Sequence, residues 1–386
     1  MRRTNFNDDH ETFRKTLRAF IETEVVPVFD EWFDAGQAPR EFYYKLGDLG
    51  VFGIEVPEEY GGAGEKSFKY QAIMTEEVAR AGVALGGSGV HVALCLPYLT
   101  AYATAEQKQR WLPGFVTGEI MFAIAMTEPG TGSDLAGMKT TAKLSDDGSH
   151  YVLNGAKTFI TGGVHADRVI VCARTAPPKP DDRRYGISLL VVDTKSDGYS
   201  VGRKLDKLGL RGQDTSELAF EDCRVPVSNL LGREGQGFKM LMEKLQQERL
   251  CIAVASIASC RRALHDTIEY VKQRRAFGRP IAAFQNTQFK LAELATEVEI
   301  GQAFIDKLLA AHVRGDEIVS EVSMGKWWST DLQKRLTGEC VQLHGGYGFM
   351  LEYPIAVDYA DAAVQSIYAG TNEIMKVIIA RRLGLE

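Results

Sequence analysis

The stretch LMEKLQQERLCIAVA (241–255) places Leu241, Leu245, Glu248 and Ile252 at positions i, i+4, i+7 and i+11, which is one face of an α-helix. Three of the four are apolar. A carboxylate on such a stripe is unfavourable unless it is paired or does chemistry. Two readings stand: a structural charge, paired or turned outward, or a proton acceptor held in an apolar setting, where burial raises its pKa towards neutrality.

Four other segments carry turn-forming and hydroxyl residues, and each reads either as an ordinary turn or core face or as a segment beside a bound cofactor. AMTEPGTGSD (125–134) follows an apolar run, and KTFITGG (157–163) puts Phe159 and Thr161 on the same face of a strand. HGGYGFM (344–350) lacks the third glycine of a dinucleotide loop and follows TGECVQLH, which reads as a helix end. Its glycines suit close backbone approach to a ligand. SIYAGTNEIM (366–375) reads as a turn centred on Gly370 and Thr371. GGAGEKS (61–67) is not a phosphate loop, because Glu65 separates Gly64 from Lys66, and it reads as a loop leading into a helix. The six cysteines show no C-x-x-C spacing and the seven histidines no H-E-x-x-H pattern, so free thiols and no metal are expected.

The elements that position these residues fall into three regions, expected at 1–120, 121–232 and 233–386. The first is helical. DDHETFRKTLRAFIETEVVPVFDEW places Phe13, Leu17, Phe20, Ile21 and Val25 at helical spacing, with Asp8 or Asp9 as the expected cap. In the second, HYVLNGAKTFITGG, DRVIVCART, YGISLLVVD and LAFEDCRVP are short apolar or alternating runs between Gly, Asp and Pro, a strand-and-turn signature. The third begins with a helix of roughly 35 residues, far beyond the ~12-residue mean, and long antiparallel helices of this kind build a bundle.

Composition agrees with a globular chain of 386 residues, 45% hydrophobic and 25% charged. Fifty-one acidic against 45 basic residues give a net charge of −6, which argues against a general nucleic-acid surface. No secretory signal is read at the N-terminus and no apolar run approaches the ~20 residues of a membrane span. The expectation is a cytoplasmic protein.

MTEPGTGSD, LNGAKTFITGG, RRAFGRPIAAFQ, CVQLHGGYGF and YAGTNEI occur in that order. Together they resemble the acyl-CoA dehydrogenase family of flavoproteins over nearly the whole chain. LQQERL, LHGGYGFMLEYPIA and YAGTNEIMK resemble its long-chain branch most. The resemblance implies an α+β multidomain fold: an N-terminal helical domain, a middle β-barrel or sandwich, and a C-terminal four-helix bundle. It implies FAD between the β domain and the C-terminal helices, with an acyl-CoA thioester on one face of the flavin.

By that resemblance Met126, Thr127 and Ser133 lie along the flavin and the start of the CoA arm, and Thr161 donates a hydrogen bond near flavin N5. Phe159 stands where many relatives carry tryptophan and keeps an aromatic face without the indole N–H. Arg274, Phe277, Gln285 and the run Gln342, Leu343, His344, Gly345 and Gly346 match residues that reach the FAD of a neighbouring subunit. Thr371, Asn372 and Glu373 match residues that meet the cofactor. Gln246, Arg249, Tyr368, Ala369 and Gly370, with Ser133, match positions on the substrate side. A homotetramer built as a dimer of dimers is implied, with electron-transfer flavoprotein as acceptor. An oxidase-like flavoenzyme and a catalytically silent acyl-CoA-binding protein are the alternatives.

The family's commonest catalytic base is a glutamate at the position of Ala369. Its long-chain and isovaleryl branches instead carry the base at the position matching Glu248. The carbonyl clamp of the family is the backbone N–H at 369 with a flavin ribityl hydroxyl, and a backbone N–H survives the change of side chain. The resemblance therefore implies that Glu248 abstracts the α-proton while the β-hydride passes to flavin N5, giving a trans-2-enoyl-CoA.

Overall fold

The computed structural model describes residues 3–385. Residues 1, 2 and 386, the outermost positions of the expected first and last regions, lie outside the described residues.

The first helix, α1 (Asp8–Phe20), is capped by Asn7 rather than by Asp8 or Asp9. The Asn7 side chain accepts from the His10 N–H while the His10 ring accepts from the Asn7 N–H, so two otherwise orphaned donors are satisfied. Asp8 and Asp9 then sit in the first turn, where the helix dipole favours negative charge. The periodic run does not continue as one helix. It widens into a π-turn (Ile21–Val25), tightens through Val26–Val28 and restarts as α2 (Phe29–Ala35). Pro27 lies in the tight turn and has no N–H to donate to a continuing helix. Leu17, Ile21 and Val25 are fully buried, with Phe13 and Phe20 packed against the same core.

The remaining N-terminal helices are α3 (Glu41–Asp48), α4 (Lys69–Ala81), α5 (Leu96–Tyr102) and α6 (Ala105–Thr117). A π-turn (Val90–Cys95) leads directly into α5, so residues 90–102 form one continuous helical run.

Eight strands follow: β1 (Phe122–Ala125), β2 (Thr141–Leu144), β3 (His150–Thr161), β4 (Arg168–Arg174), β5 (Ile187–Asp193), β6 (Tyr199–Lys204), β7 (Thr215–Pro226) and β8 (Leu230–Leu231). They form one mixed sheet in the order β6-β7-β3-β2-β4-β5-β8, with β1 parallel on β4. Strands β4 and β5 are apolar on both faces and almost wholly buried. They read as continuous Val/Ile/Leu runs for that reason.

The C-terminal region opens with α7 (Gly237–Gln273), 37 residues long. A tight hairpin, β9 (Arg275–Ala276) with β10 (Arg279–Pro280), leads to α8 (Gln285–Val313), and α9 (Val319–His344), α10 (Pro354–Gln365) and α11 (Asn372–Arg382) complete the region. One core cluster joins α4, α7, α8 and α9. The first residue of α7 must be glycine: a Cβ on Gly237 would stand 2.8 Å from the Ser188 backbone. That close approach seats the helix start on β5 and fixes where the later turns of α7 fall. No helix among the described residues is long and apolar enough to cross a membrane. All six cysteines are free.

Candidate active site

Glu248 lies on α7 with only 5% of its surface exposed. Leu241 and Ile252, on the same stripe, are buried, and Leu245 is half-buried. The hydroxyl of fully buried Tyr98, on α5, donates to Oε1 at 3.0 Å. Among the described residues Glu248 has no other hydrogen-bond partner and no ion pair. Burial pushes its carboxyl up to about 7, against the opposing pull of the Tyr98 hydroxyl and of Arg249. A structural ion pair therefore does not account for it. What remains is a carboxyl poised to gain or lose a proton near neutral pH, as a general base requires.

Arg249 does not pair with Glu248, since adjacent helical positions do not face each other. Its Nε donates to the Ala369 carbonyl at 3.4 Å. Ala369 holds a left-handed conformation, φ 50°, and Gly370 follows at φ 91°. A non-glycine residue there stores backbone strain, which needs support from the surroundings.

Lys326 on α9 supplies that support. Fully buried, it donates through Nζ to the Gly370 carbonyl at 2.8 Å and to Asn372 Oδ1 at 3.1 Å. Burial and then the nearby Arg249 charge lower its pKa to about 8. Asn372 also donates to Thr330 Oγ1 and Asp331 Oδ1, and Thr371 caps α11 by accepting from the Ile374 N–H. The turn is thus held rigidly with its peptide edge beside Arg249. Asn372 is buried and structural, whereas Glu373 is exposed and Tyr368 donates to Gln365 at 2.6 Å.

The β-sheet presents the next group. Met126 and Thr127 follow β1, and the Thr158 N–H donates to the Thr127 carbonyl at 2.9 Å. Beneath them Lys157, fully buried, donates to the Met126 carbonyl and to Glu128 Oε1, both at 2.9 Å. Glu128 also accepts from the Lys139 and Thr140 N–H groups. Burial alone would raise the Glu128 pKa, but Lys157 and these donors outweigh it and hold the carboxylate ionised. A bulge between Lys157 and Ile160 leaves Phe159 at φ 60° with 68% of its surface exposed, so its ring faces outward beside half-buried Thr161. Ser133 is exposed on the same connection. Cys172 on β4, fully buried, feels the charges of Lys157, Glu128 and Glu248 alike, so this turn and the carboxyl both approach the same strand.

The remaining residues singled out in the sequence gather elsewhere. Arg274, Gln342, Leu343, His344, Gly345 and Gly346 line one open groove of about 480 Å³. The His344 ring stacks on Tyr270 at 4.1 Å and the Arg274 guanidinium lies over Tyr347. Phe277, at the tip of the β9–β10 hairpin, is 95% exposed, and Gln285 opens α8 on the surface. Glu248 and Arg274 are 26 residues apart on one helix, or about 39 Å at 1.5 Å per residue. Gln246 joins neither group: its side chain bonds His312, the Asp316 carbonyl and the Ile318 N–H at the α8–α9 connection.

Both groups fit a flavin dinucleotide. An outward aromatic ring with hydroxyl and peptide edges suits the flavin, and an exposed arginine fork beside glycines suits a pyrophosphate. A Cβ at Gly345 or Gly346 would meet nothing within 4 Å, so the groove lies open there.

Profiles of the acyl-CoA dehydrogenase N-terminal, middle and C-terminal domains match residues 7–119, 123–223 and 235–384. The mouse mitochondrial long-chain specific acyl-CoA dehydrogenase is 45% identical over 98% of this chain and 87% of its own length. The crystal structure of an acyl-CoA dehydrogenase from Geobacillus kaustophilus is 49% identical, covers 99% of this chain and 100% of that one, and superposes with a TM-score of 0.96. That of a Bacillus anthracis acyl-CoA dehydrogenase complexed with FAD is 33% identical over 98% of this chain and 67% of that one, with a TM-score of 0.88. The chain belongs to the acyl-CoA dehydrogenase family and is an FAD-dependent oxidoreductase that dehydrogenates acyl-CoA thioesters.

Proposed function

We propose that this enzyme acts on a long-chain acyl-CoA, with Glu248 as the base that removes the α-proton, in a homotetramer that passes its electrons to electron-transfer flavoprotein. The observation that carries the assignment of the base is the buried Glu248 carboxyl, bonded among the described residues only to Tyr98 while an alanine stands at 369. Similarity to the mouse long-chain enzyme supports the substrate class.

In this reading ionised Glu248 takes the α-proton, and the Tyr98 hydroxyl fixes which carboxylate oxygen faces the substrate. The Ala369 N–H donates to the thioester carbonyl and stabilises the charge that develops there, which a preorganised backbone donor does without reorganising. Arg249 and Lys326 hold the 369–370 carbonyls and so keep that N–H aimed. Bound flavin supplies the hydride acceptor. Phe159, Met126, Thr127 and Thr161 bind and orient it, with Ser133 towards the CoA arm.

An anaerobic screen of acyl-CoAs for loss of flavin absorbance tests the substrate assignment: long straight chains are expected to bleach the flavin fastest. A clear preference for short chains would overturn it.

Tyr98→Phe removes a hydrogen bond that favours the carboxylate, so the Glu248 pKa should rise above about 7. The acid limb of the kcat/KM profile should move to higher pH, with the rate approaching that of the wild type on the alkaline side. An unshifted limb would show that Tyr98 does not act through Glu248.

The length of α7 between Glu248 and Arg274, about 39 Å at 1.5 Å per residue, supports a shared site, in which Arg274 and 342–346 serve the FAD of a neighbouring subunit. Arg274→Ala should then weaken FAD retention and assembly together, read by flavin content and sedimentation. A stable monomer with full FAD would contradict the shared site.

A further inference from the structure

The loop between β6 and β7 (205–214) is held at both ends and at its tip. The Leu205 N–H donates to the Thr215 carbonyl at 2.8 Å, which closes the loop on itself. Leu210 takes a left-handed conformation, φ 50°, and its N–H donates to Asp361 Oδ1 on α10 at 2.5 Å. A Cβ on Gly209 would stand 2.6 Å from the Ala360 backbone. A strained leucine tied to a carboxylate, beside a glycine with no room for a side chain, fixes the path of the loop.

That path delivers Lys207 to the end of the flavin strand. Its ammonium donates to the Gln213 carbonyl and, at 3.0 Å, to Thr215 Oγ1. Lys207 is half-buried and has no ion pair among the described residues. Burial lowers its pKa to about 8, against the opposing pull of Asp214 and Asp361. Neither carboxylate touches it, so charge pairing does not account for its placement on a hydroxyl.

Thr215 stands opposite Thr161 in the β3–β7 ladder. One step along, the Gly162 N–H donates to the Asp214 carbonyl, so Thr161 and Thr215 form a non-hydrogen-bonded pair, the kind in which facing side chains lie closest. The Cβ atoms of such a pair are about 4.5–5.5 Å apart, and a change of χ1 rotamer brings the two hydroxyls together. Thr215 is 7% exposed, and the Thr161 hydroxyl has no hydrogen-bond partner among the described residues.

We propose that Lys207 and Thr215 are positioning residues that fix Thr161 as a hydrogen-bond donor to N5 of the bound flavin, an inference that rests on the reading of Thr161 as the N5 contact. A hydroxyl both donates and accepts, so its direction is set by its neighbours, whereas an ammonium only donates. The Thr215 oxygen accepts from Lys207, which leaves the Thr215 hydrogen for the Thr161 oxygen. Thr161, accepting in turn, presents its own hydrogen to N5. Bonds in such a chain polarise one another, and here one end is charged. A donor at N5 draws electron density from the atom that receives the hydride, so the chain should speed that step more than it strengthens substrate binding.

The test is the nitrogen NMR signal of N5 in oxidised holoenzyme carrying isotope-labelled flavin, which reports hydrogen bonding at that atom, read together with the rate of anaerobic flavin reduction. Thr161→Val should move the signal to that of an unbonded N5. Thr215→Val and, independently, Lys207→Met should move it part of the way. Each should slow flavin reduction about fivefold, the effect of one hydrogen bond, with little change in acyl-CoA affinity. Thr215→Ser, which keeps the hydroxyl, should retain both the signal and the rate of the wild type. An N5 signal unchanged in Thr215→Val and Lys207→Met, while Thr161→Val moves it, overturns the relay and leaves the Thr161 contact standing. Equal signals in Thr215→Val and Thr215→Ser overturn it as well. An unmoved signal in Thr161→Val removes the N5 contact itself, and the proposal with it.

Discussion

Glu248→Gln is expected to slow flavin reduction by ~10²–10⁴-fold or more, the range for a positioned acid–base group, while acyl-CoA affinity changes far less. The substitution keeps shape and volume and removes only the proton acceptor. The Tyr98 hydroxyl, the Ala369 N–H and the surfaces facing the cofactor all remain. In the wild type the base must be ionised to act, so kcat/KM should rise as pH increases through about 7. The same carboxyl makes the opposite demand on stability. Its folded pKa is raised from 4.5, so its contribution to folding is fully present below about pH 4.5 and is lost as pH rises through about 7. At pH 8 the ionised form is therefore a liability of about 3 kcal/mol. Glu248→Gln should be more stable than the wild type at pH 8 and lose that advantage near pH 4.5, by urea unfolding at the two pH values. A residue that destabilises the fold where it is active is what a functional rather than a structural role predicts.

Lys157→Met should be the most damaging single change in the β domain. It leaves Glu128 as an unpaired charge 6% exposed, and removing one partner of a buried pair costs about 3–5 kcal/mol. The Met126 carbonyl loses its donor as well, so the 126–128 turn, which fits the flavin, should loosen. The expected outcome is a large fall in unfolding free energy together with loss of bound FAD. Glu128→Gln should be milder, because the amide oxygen still accepts from Lys157. A Lys157→Met protein with wild-type stability and full FAD would show that the pair does not hold the turn.

Much of this was legible in the sequence. Periodicity gave the helical, β, helical order, and the length expected for α7 came within a few residues of the 37 observed. Glu248 stood out because a charge breaks an apolar stripe. What supports the site was less visible. Tyr98 lies in an apolar run, CLPYLT, where nothing marks its hydroxyl as different from a core tyrosine. Lys157 and Lys326 did leave a signal. Lys157 shares the face of Tyr151 and Leu153 by strand alternation, and Lys326 follows Val322 and Ser323 at helical spacing, so both patterns place a lysine inward. The pattern does not say what such a lysine bonds, because their partners lie 29 to 46 residues away in the chain. Gln246 shows the converse. The resemblance matched it to the substrate side, and its side chain bonds His312, the Asp316 carbonyl and the Ile318 N–H at the α8–α9 connection, partners no local pattern in LQQERL announces. The cap of α1 went to Asn7 because a reciprocal bond with His10 satisfies two donors, which neither aspartate achieves in the first turn.

The relocation of the base is tested most directly by anaerobic single-turnover flavin reduction in three proteins: wild type, Glu248→Gln, and Glu248→Gln with Ala369→Glu. If both positions flank the same α-carbon, the single variant should be slowest and the double variant should recover part of the rate. Recovery should be greater for a straight than for a 3-methyl-branched acyl-CoA, because the new side chain takes the space a branch would occupy. Reduction of the flavin by Glu248→Gln at the wild-type rate would contradict the account, and the proton acceptor would have to be another group.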